Sequence, residues 1–307
     1  MTYTKKNFGC LSSDGIHTLK GVIYLPDGDA KGYFHIVHGM TEYIGRYDGI
    51  MSDLASEGYI CFGYDHLGHG MTANDDSELG YIAKKRGWDN LCRDVAVFSD
   101  AVRKEAGLEL PYYLMGHSMG SFIVRLAAEK YVSPEKLIVM GTGGANPAAG
   151  AGLALISLIK LFKGDRHISK FIDGVAFGSY NSRFKDELDI APGAWLTTDI
   201  DVRKKYHADK YCTFKFTVSA MGDLMQLLKR SNRSAWYKNI PDMPILLVSG
   251  EDDPVGNYGK GVTGVKNKLE KSKKKVSCIL YKGARHEILN DFTYSQVKSD
   301  ILNFCKK

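Results

Sequence analysis

Short unbroken runs of apolar residues alternate along most of this chain with stretches whose apolar positions recur every three or four residues. The runs fall at 33–37, 59–64, 112–115, 136–140, 245–248 and 277–281. A strand covered on both faces reads as such a run, whereas a half-exposed strand alternates. The pattern therefore predicts an α/β fold, a parallel sheet with helices on both faces. Residues 5–25 differ: they alternate and contain Ser12-Ser13-Asp14-Gly15, which predicts an antiparallel pair joined by a turn. Counting that pair, the sheet has eight strands and is mostly parallel.

Between 136–140 and 245–248 no strand pattern occurs. An Ala/Gly-rich segment with Pro147 opens this interval, and Pro241 and Pro244 close it. We read residues 145–235 as a helical cap inserted into a core made of 1–144 and 236–307. The cap opens with an apolar stretch at 153–162, too short to cross a bilayer and too apolar for an ordinary surface helix. Such a helix is either a lid over a substrate pocket or part of the cap's own core. On the lid reading, Leu155, Ile156, Ile159, Phe162 and Phe216 line the pocket. A second apolar stretch with Phe214, Met221, Leu224, Met225 and Leu228 carries the same two readings.

The candidate chemistry sits at the ends of these runs. Gly116-His117-Ser118-Met119-Gly120 follows a strand pattern and precedes a helical one. A serine between two glycines on such a turn presents its hydroxyl to a substrate. It needs a base, and the base needs a carboxylate, both past the carboxyl ends of later strands. His286 follows the last run. Glu251, Asp252 and Asp253 follow the one before it; Asp253, just ahead of Pro254-Val255, is the preferred acid. The order serine, acid, histidine suits this scaffold. For the oxyanion, the backbone amides of Met119, after the nucleophile, and Met40, in the loop after the third strand, are the natural donors. His117 should point away from the site and stabilise the turn.

Composition narrows the field. The 307 residues, 44% hydrophobic, can bury a large core. The net charge of +6 owes much to Lys266, Lys268, Lys271, Lys273, Lys274 and Lys275. No stacking aromatics are interleaved there, so this reads as a solvated helix face and turn, with no nucleic-acid partner. The six cysteines lack metal-like spacing, and no metal or other cofactor is implied. Without a secretory pattern at the N-terminus or a run long enough to span a bilayer, the chain reads as soluble and cytoplasmic.

Three motifs together carry a resemblance. His38-Gly39-Met40-Thr41-Glu42 with Arg46-Tyr47, the turn Asp65-His66-Leu67-Gly68-His69-Gly70, and the Ser118 turn resemble the monoacylglycerol lipase and lysophospholipase branch of the α/β-hydrolases, which is serine aminopeptidase-like. The resemblance covers nearly all of the chain outside the cap. It implies the α/β-hydrolase fold and ester hydrolysis. Bulky Met40 and Tyr43 depart from the animal monoglyceride lipases, where these positions are often small or histidine. Glu42 and Arg46 are spaced to pair and brace the oxyanion loop, and the Asp65 turn reads as a loop closed by its glycines.

The expected function is a serine carboxylester hydrolase acting on a monoacylglycerol or lysophospholipid through an acyl-enzyme on Ser118. Contact with a lipid surface would be transient, without membrane insertion. A small-ester or aryl-ester carboxylesterase is the nearest alternative. A serine aminopeptidase would use cap acids among Asp173, Asp186, Glu187, Asp189, Asp199 and Asp201 to bind an amine. A non-catalytic binder is the reading from another class, and Ser118 argues against epoxide hydrolases and dehalogenases, which use an aspartate at the turn.

Overall fold

The computed structural model describes residues 2–306. Its eight strands are β1 (Tyr3–Leu11), β2 (Thr18–Pro26), β3 (Gly32–Val37), β4 (Tyr59–Tyr64), β5 (Tyr112–His117), β6 (Lys136–Met140), β7 (Ile245–Gly250) and β8 (Val276–Tyr281). They form one sheet in the order β1-β2-β4-β3-β5-β6-β7-β8. β1 and β2 pair antiparallel, as does β2 with β4, and every other neighbouring pair is parallel. The sheet is the α/β-hydrolase one that the sequence pattern and motifs predict.

The unbroken apolar runs acquire their meaning here. Tyr112 and Leu114 of β5, Leu137 and Val139 of β6, and Ile245 and Leu247 of β7 belong to one core. Their neighbours Tyr113, Met115, Ile138, Met140, Leu246 and Val248 belong to the core on the opposite face. Helices Gly87–Ala106, Met119–Lys130 and Lys260–Lys271 cover the first face, and Asp48–Ser56 and Tyr294–Lys306 the second. Because side chains alternate across a strand, burial on both faces requires an apolar residue at each position. The lysines of 266–275 lie on the outer side of the last helix before β8 and in its turn, where Lys266 pairs with Glu270 and Lys274 with Asp242.

After β3 the chain steps to β4 on one side, then to β5 on the other. The loops leaving β3 and β5 part at this switch point and open a crevice at the carboxyl ends of the strands. The region read as the cap joins β6 to β7 and holds the helices Ala149–Lys163, Lys170–Phe177, Ile200–Ala208, Lys210–Thr213 and Val218–Ser231. The last of these packs on the core helices 119–130 and 87–106 as well as on the first cap helix. No helix among the described residues is long and apolar enough to cross a membrane.

Asp223, on that last helix, fastens the two parts together. Helix 87–106 begins after Arg86, which is left-handed and offers no capping side chain. Its free N-terminal donors are met from outside, by Trp88 N–H donating to Asp223 Oδ1 at 2.9 Å. The other carboxylate oxygen has no partner among the described residues. Burial pushes the Asp223 carboxyl up to about 7, against the lowering effect of the Trp88 bond. A raised carboxyl means that the folded state holds a proton the unfolded chain has released. The associated stability is complete below about pH 4 and is lost as pH rises towards 7. Asp223→Asn should therefore raise the thermal midpoint at pH 8 and leave it nearly unchanged at pH 4. Equal effects at both values in a calorimetric scan would contradict this.

Candidate active site

Ser118 sits between β5 and helix 119–130 with φ 54° and ψ −119°, a strained setting for a residue with a side chain. Such backbone costs about 1–3 kcal/mol and persists only where its surroundings enforce it. Two glycines supply the room. A Cβ on Gly116 would lie 2.3 Å from the Gly120 carbonyl oxygen, and one on Gly120 would lie 2.1 Å from that of Val37. Ser118 N–H donates to the Met140 carbonyl at 3.0 Å, which ties the turn to β6.

The structure brings the predicted acid and base to this turn. Asp253 and His286 are buried at the ends of β7 and β8, and His286 Nδ1 lies 2.9 Å from Asp253 Oδ2. The same carboxylate accepts from Ser249 Oγ at 3.2 Å and from Val255 N–H at 2.8 Å. The His286–Asp253 pair is formed, whereas among the described residues no hydrogen bond joins Ser118 Oγ to His286. Such bonds are often long before substrate binds. Ser118 is half-buried, and a Cβ on Gly39 would lie 3.0 Å from Ser118 Cβ, which places the Met40 loop against the nucleophile. Neither the Met40 nor the Met119 amide is claimed by another loop. No cluster of His, Cys, Asp or Glu among the described residues is arranged to hold a metal ion.

Buried polar groups hold the loop after β3. Gly39 N–H donates to Glu42 Oε1 at 2.5 Å, and Arg46 donates to Glu42 Oε2 at 2.9 Å. Arg46 also forks onto both oxygens of Glu287, beside the histidine, at 2.7 and 2.6 Å. Asp65 accepts from Ile44 N–H at 2.8 Å and Met71 N–H at 2.7 Å. Three buried histidines complete the support as neutral rings. His38 Nε2 accepts from His66 N–H at 3.0 Å, and His69 Nε2 accepts from Thr41 N–H at 3.3 Å. Burial holds all three below the ordinary histidine range, His69 at about 3. The Asp65 turn thus works as a brace for the oxyanion loop.

One stretch of the segment between β6 and β7, of which the sequence reading named only the acids, touches the loops after β3, β7 and β8. Glu187 pairs with both terminal nitrogens of Arg285. Arg285 Nη1 also donates to the Ala194 carbonyl at 2.6 Å, and Glu287 N–H to that of Leu196 at 2.7 Å. The Trp195 ring lies 5.1 Å from that of His286, and the Tyr180 ring meets Trp195 edge-on at 5.0 Å. Tyr206 donates to the Thr41 carbonyl at 2.9 Å. Arg183 rests 3.4 Å over the ring of Tyr258, whose N–H bonds the Asp253 carbonyl. No local spacing announces these contacts; the partners lie far apart in the chain.

The five residues assigned to a pocket from the sequence divide. Ile156 and Phe216 are buried, Phe216 with its ring 5.4 Å from His69, and Ile159 is half-buried against the core. Leu155 and Phe162, 36% and 75% exposed, lie on the outer face of helix 149–163. Its polar residues do not mark the outer side: Lys160 turns inward and donates to Ser219 Oγ at 2.9 Å, while Leu158, Leu161 and Phe162 face out.

A serine on a strained turn, an aspartate–histidine pair and two flanking amides at the rim of such a sheet define an α/β-hydrolase site. The chain matches the Hydrolase_4 family, described as serine aminopeptidase, S33, over residues 28–293, and belongs to it. It is 26% identical over 145 residues to a monoacylglycerol lipase of Mycolicibacterium smegmatis, covering 45% of this chain and 47% of that one. It is 31% identical over 106 residues to the monoglyceride lipase of Mus musculus, covering 34% and 33%. The matches thus span less than half the length of these relatives. Among solved structures, a thermostable carboxyl esterase from Bacillus coagulans in complex with glycerol is 27% identical, covers 99% of both chains and superposes with a TM-score of 0.92.

The close approach at the nucleophile turn gives a direct test. Gly120→Ala forces a methyl group onto the β3 backbone and should destabilise the protein by about 1–3 kcal/mol. Urea unfolding measures this, and an unchanged midpoint would contradict the packing described.

Proposed function

We propose that the protein is a serine carboxylester hydrolase acting on amphiphilic esters of the monoacylglycerol or lysophospholipid type. The observation that carries the reading is the convergence of strained Ser118 with the Asp253–His286 pair. Ser118 Oγ attacks the ester carbonyl carbon while His286 Nε2 takes its proton. Asp253 holds the imidazole with its Nδ1 proton inward and stabilises the cation that forms. The Met40 and Met119 amides meet the oxyanion, which collapses as His286 returns the proton to the departing alcohol. Water, activated by the same histidine, then attacks the acyl-enzyme, releases the acid and restores Ser118.

The cap supports an amphiphilic substrate. Leu155, Leu158, Leu161 and Phe162 of its first helix, with Ile168, Phe171 and Val175 just beyond, leave an unusually apolar surface exposed. Lys163 and Lys170 stand beside it. A surface of this kind suits transient contact with the lipid aggregates in which such esters reside. A short-ester carboxylesterase is favoured by a different observation, the full-length likeness to the Bacillus coagulans esterase. The aminopeptidase reading is weakened because three of its cap acids are committed elsewhere: Asp173 pairs with Lys215, Glu187 with Arg285, and Asp199 caps its own helix.

The test is kcat/KM over a series of esters of increasing acyl length, with Ser118→Ala as the blank. The lipid reading expects values that climb towards long chains, and a loss of about 10^4-fold in kcat for Asp253→Asn. Activity confined to short or aryl esters would replace it with the small-ester reading. Turnover of aminoacyl arylamides alone would overturn both.

A further inference from the structure

His117, beside the nucleophile, is 4% exposed, and its ring lies 4.7 Å from that of His286. Its hydrogen-bond surroundings differ from those of the three neutral histidines. His38 and His69 each have one ring nitrogen facing a backbone N–H, which requires a lone pair there. His117 faces acceptors on both sides. Nε2 lies 3.2 Å from the His286 carbonyl oxygen, which can only accept. Nδ1 lies 3.2 Å from Glu42 Oε1 and 2.8 Å from the Tyr47 hydroxyl.

The Tyr47 hydroxyl decides the matter. It lies 2.9 Å from Glu42 Oε1 and has a single proton. If that proton served a neutral Nδ1, Glu42 Oε1 would keep the Gly39 N–H but stand 2.9 and 3.2 Å from the Tyr47 oxygen and Nδ1 with no proton towards either, an expensive arrangement inside the protein. If Nδ1 carries its own proton, Tyr47 donates to Glu42, the ring donates to both oxygens, and every group is satisfied. Charge balance agrees. Glu42 and Glu287 are buried with Arg46 as their only other close cation among the described residues, and a protonated His117 makes the group neutral. Burial alone would lower His117, but the hydrogen bond and charge of Glu42 raise it above the ordinary histidine range. Among its other neighbours, His38 is held neutral by burial.

We propose that His117 is a buried imidazolium that positions the catalytic base, gripping the His286 carbonyl through Nε2 and the oxyanion-loop carboxylate Glu42 through Nδ1. It touches neither substrate nor reacting atoms. Its positioning role rests on the esterase reading; its protonation does not. Loss of the Nδ1 proton turns a donor into a lone pair against Glu42, so activity falls on the alkaline side as His117 deprotonates.

The experiment is histidine ring 15N spectroscopy of the full chain between pH 6 and 9, read beside pH–rate profiles. At pH 7.5 both ring nitrogens of His117 should be protonated, while His38, His66 and His69 each show one bare nitrogen. Assignment comes from the signals lost in His117→Gln. If that variant does not fold, Tyr47→Phe marks the ring by a shift and should leave it doubly protonated, because Glu42 remains. A bare nitrogen on His117 at pH 7.5, in either protein, overturns the proposal. In kinetics, His117→Gln should lower kcat by about 10–100-fold with little change in KM and abolish the alkaline limb. An unchanged limb overturns the positioning role. A protein without esterase activity but with doubly protonated His117 refutes only the functional reading.

Discussion

The arrangement of loops at the candidate site depends most on one buried carboxylate, that of Glu42. It accepts the Gly39 amide of the oxyanion loop, the Tyr47 hydroxyl and an Arg46 nitrogen, and it faces His117 of the nucleophile turn. Arg46 reaches on to Glu287 beside the base. Loops leaving β3, β5 and β8 are therefore set against one another by a single connected group of charges. A carboxylate removed from water is tolerable only with such complete partnering. Burial would push Glu42 up, yet His117 and Arg46 hold it below the usual carboxylate range.

Around this centre the cap plays two physical parts. Residues 180–211 are strapped to the core by an ion pair, hydrogen bonds to the backbone and ring contacts at the loops after β8, β7 and β3. Residues 149–177 bury little of their apolar surface and present the rest outward. The first part fixes the geometry of the reacting groups. On the proposed function, the second is where contact with an amphiphile would occur.

Much of this was legible in the chain. The apolar runs mark strands buried on both faces because each residue must serve one core or the other, and Tyr112 to Met115 display that alternation directly. Ser118, Asp253 and His286 were legible as candidates because each lies in the loop that leaves the carboxyl end of a strand. The cap was not legible in detail. Its contacts join residues such as Arg183 with Tyr258 and Trp195 with His286, and no local rule links them. The outward face of helix 149–163 was equally hidden, since its Lys160 turns inward to Ser219 while leucines and Phe162 face out, against the usual rule. His117 was read as support for the turn; its two-sided acceptor environment emerges only once Glu42 and His286 are brought together.

The central claim is that Ser118 is the activated nucleophile. Its most direct test is peptide mapping by mass spectrometry after exposure of the folded protein to a fluorophosphonate, which captures a serine only when a neighbouring base activates it. The account predicts a single adduct on Ser118, formed rapidly in the native protein and much more slowly after His286→Ala. Modification elsewhere, or an unmodified Ser118 in a folded protein, would contradict it.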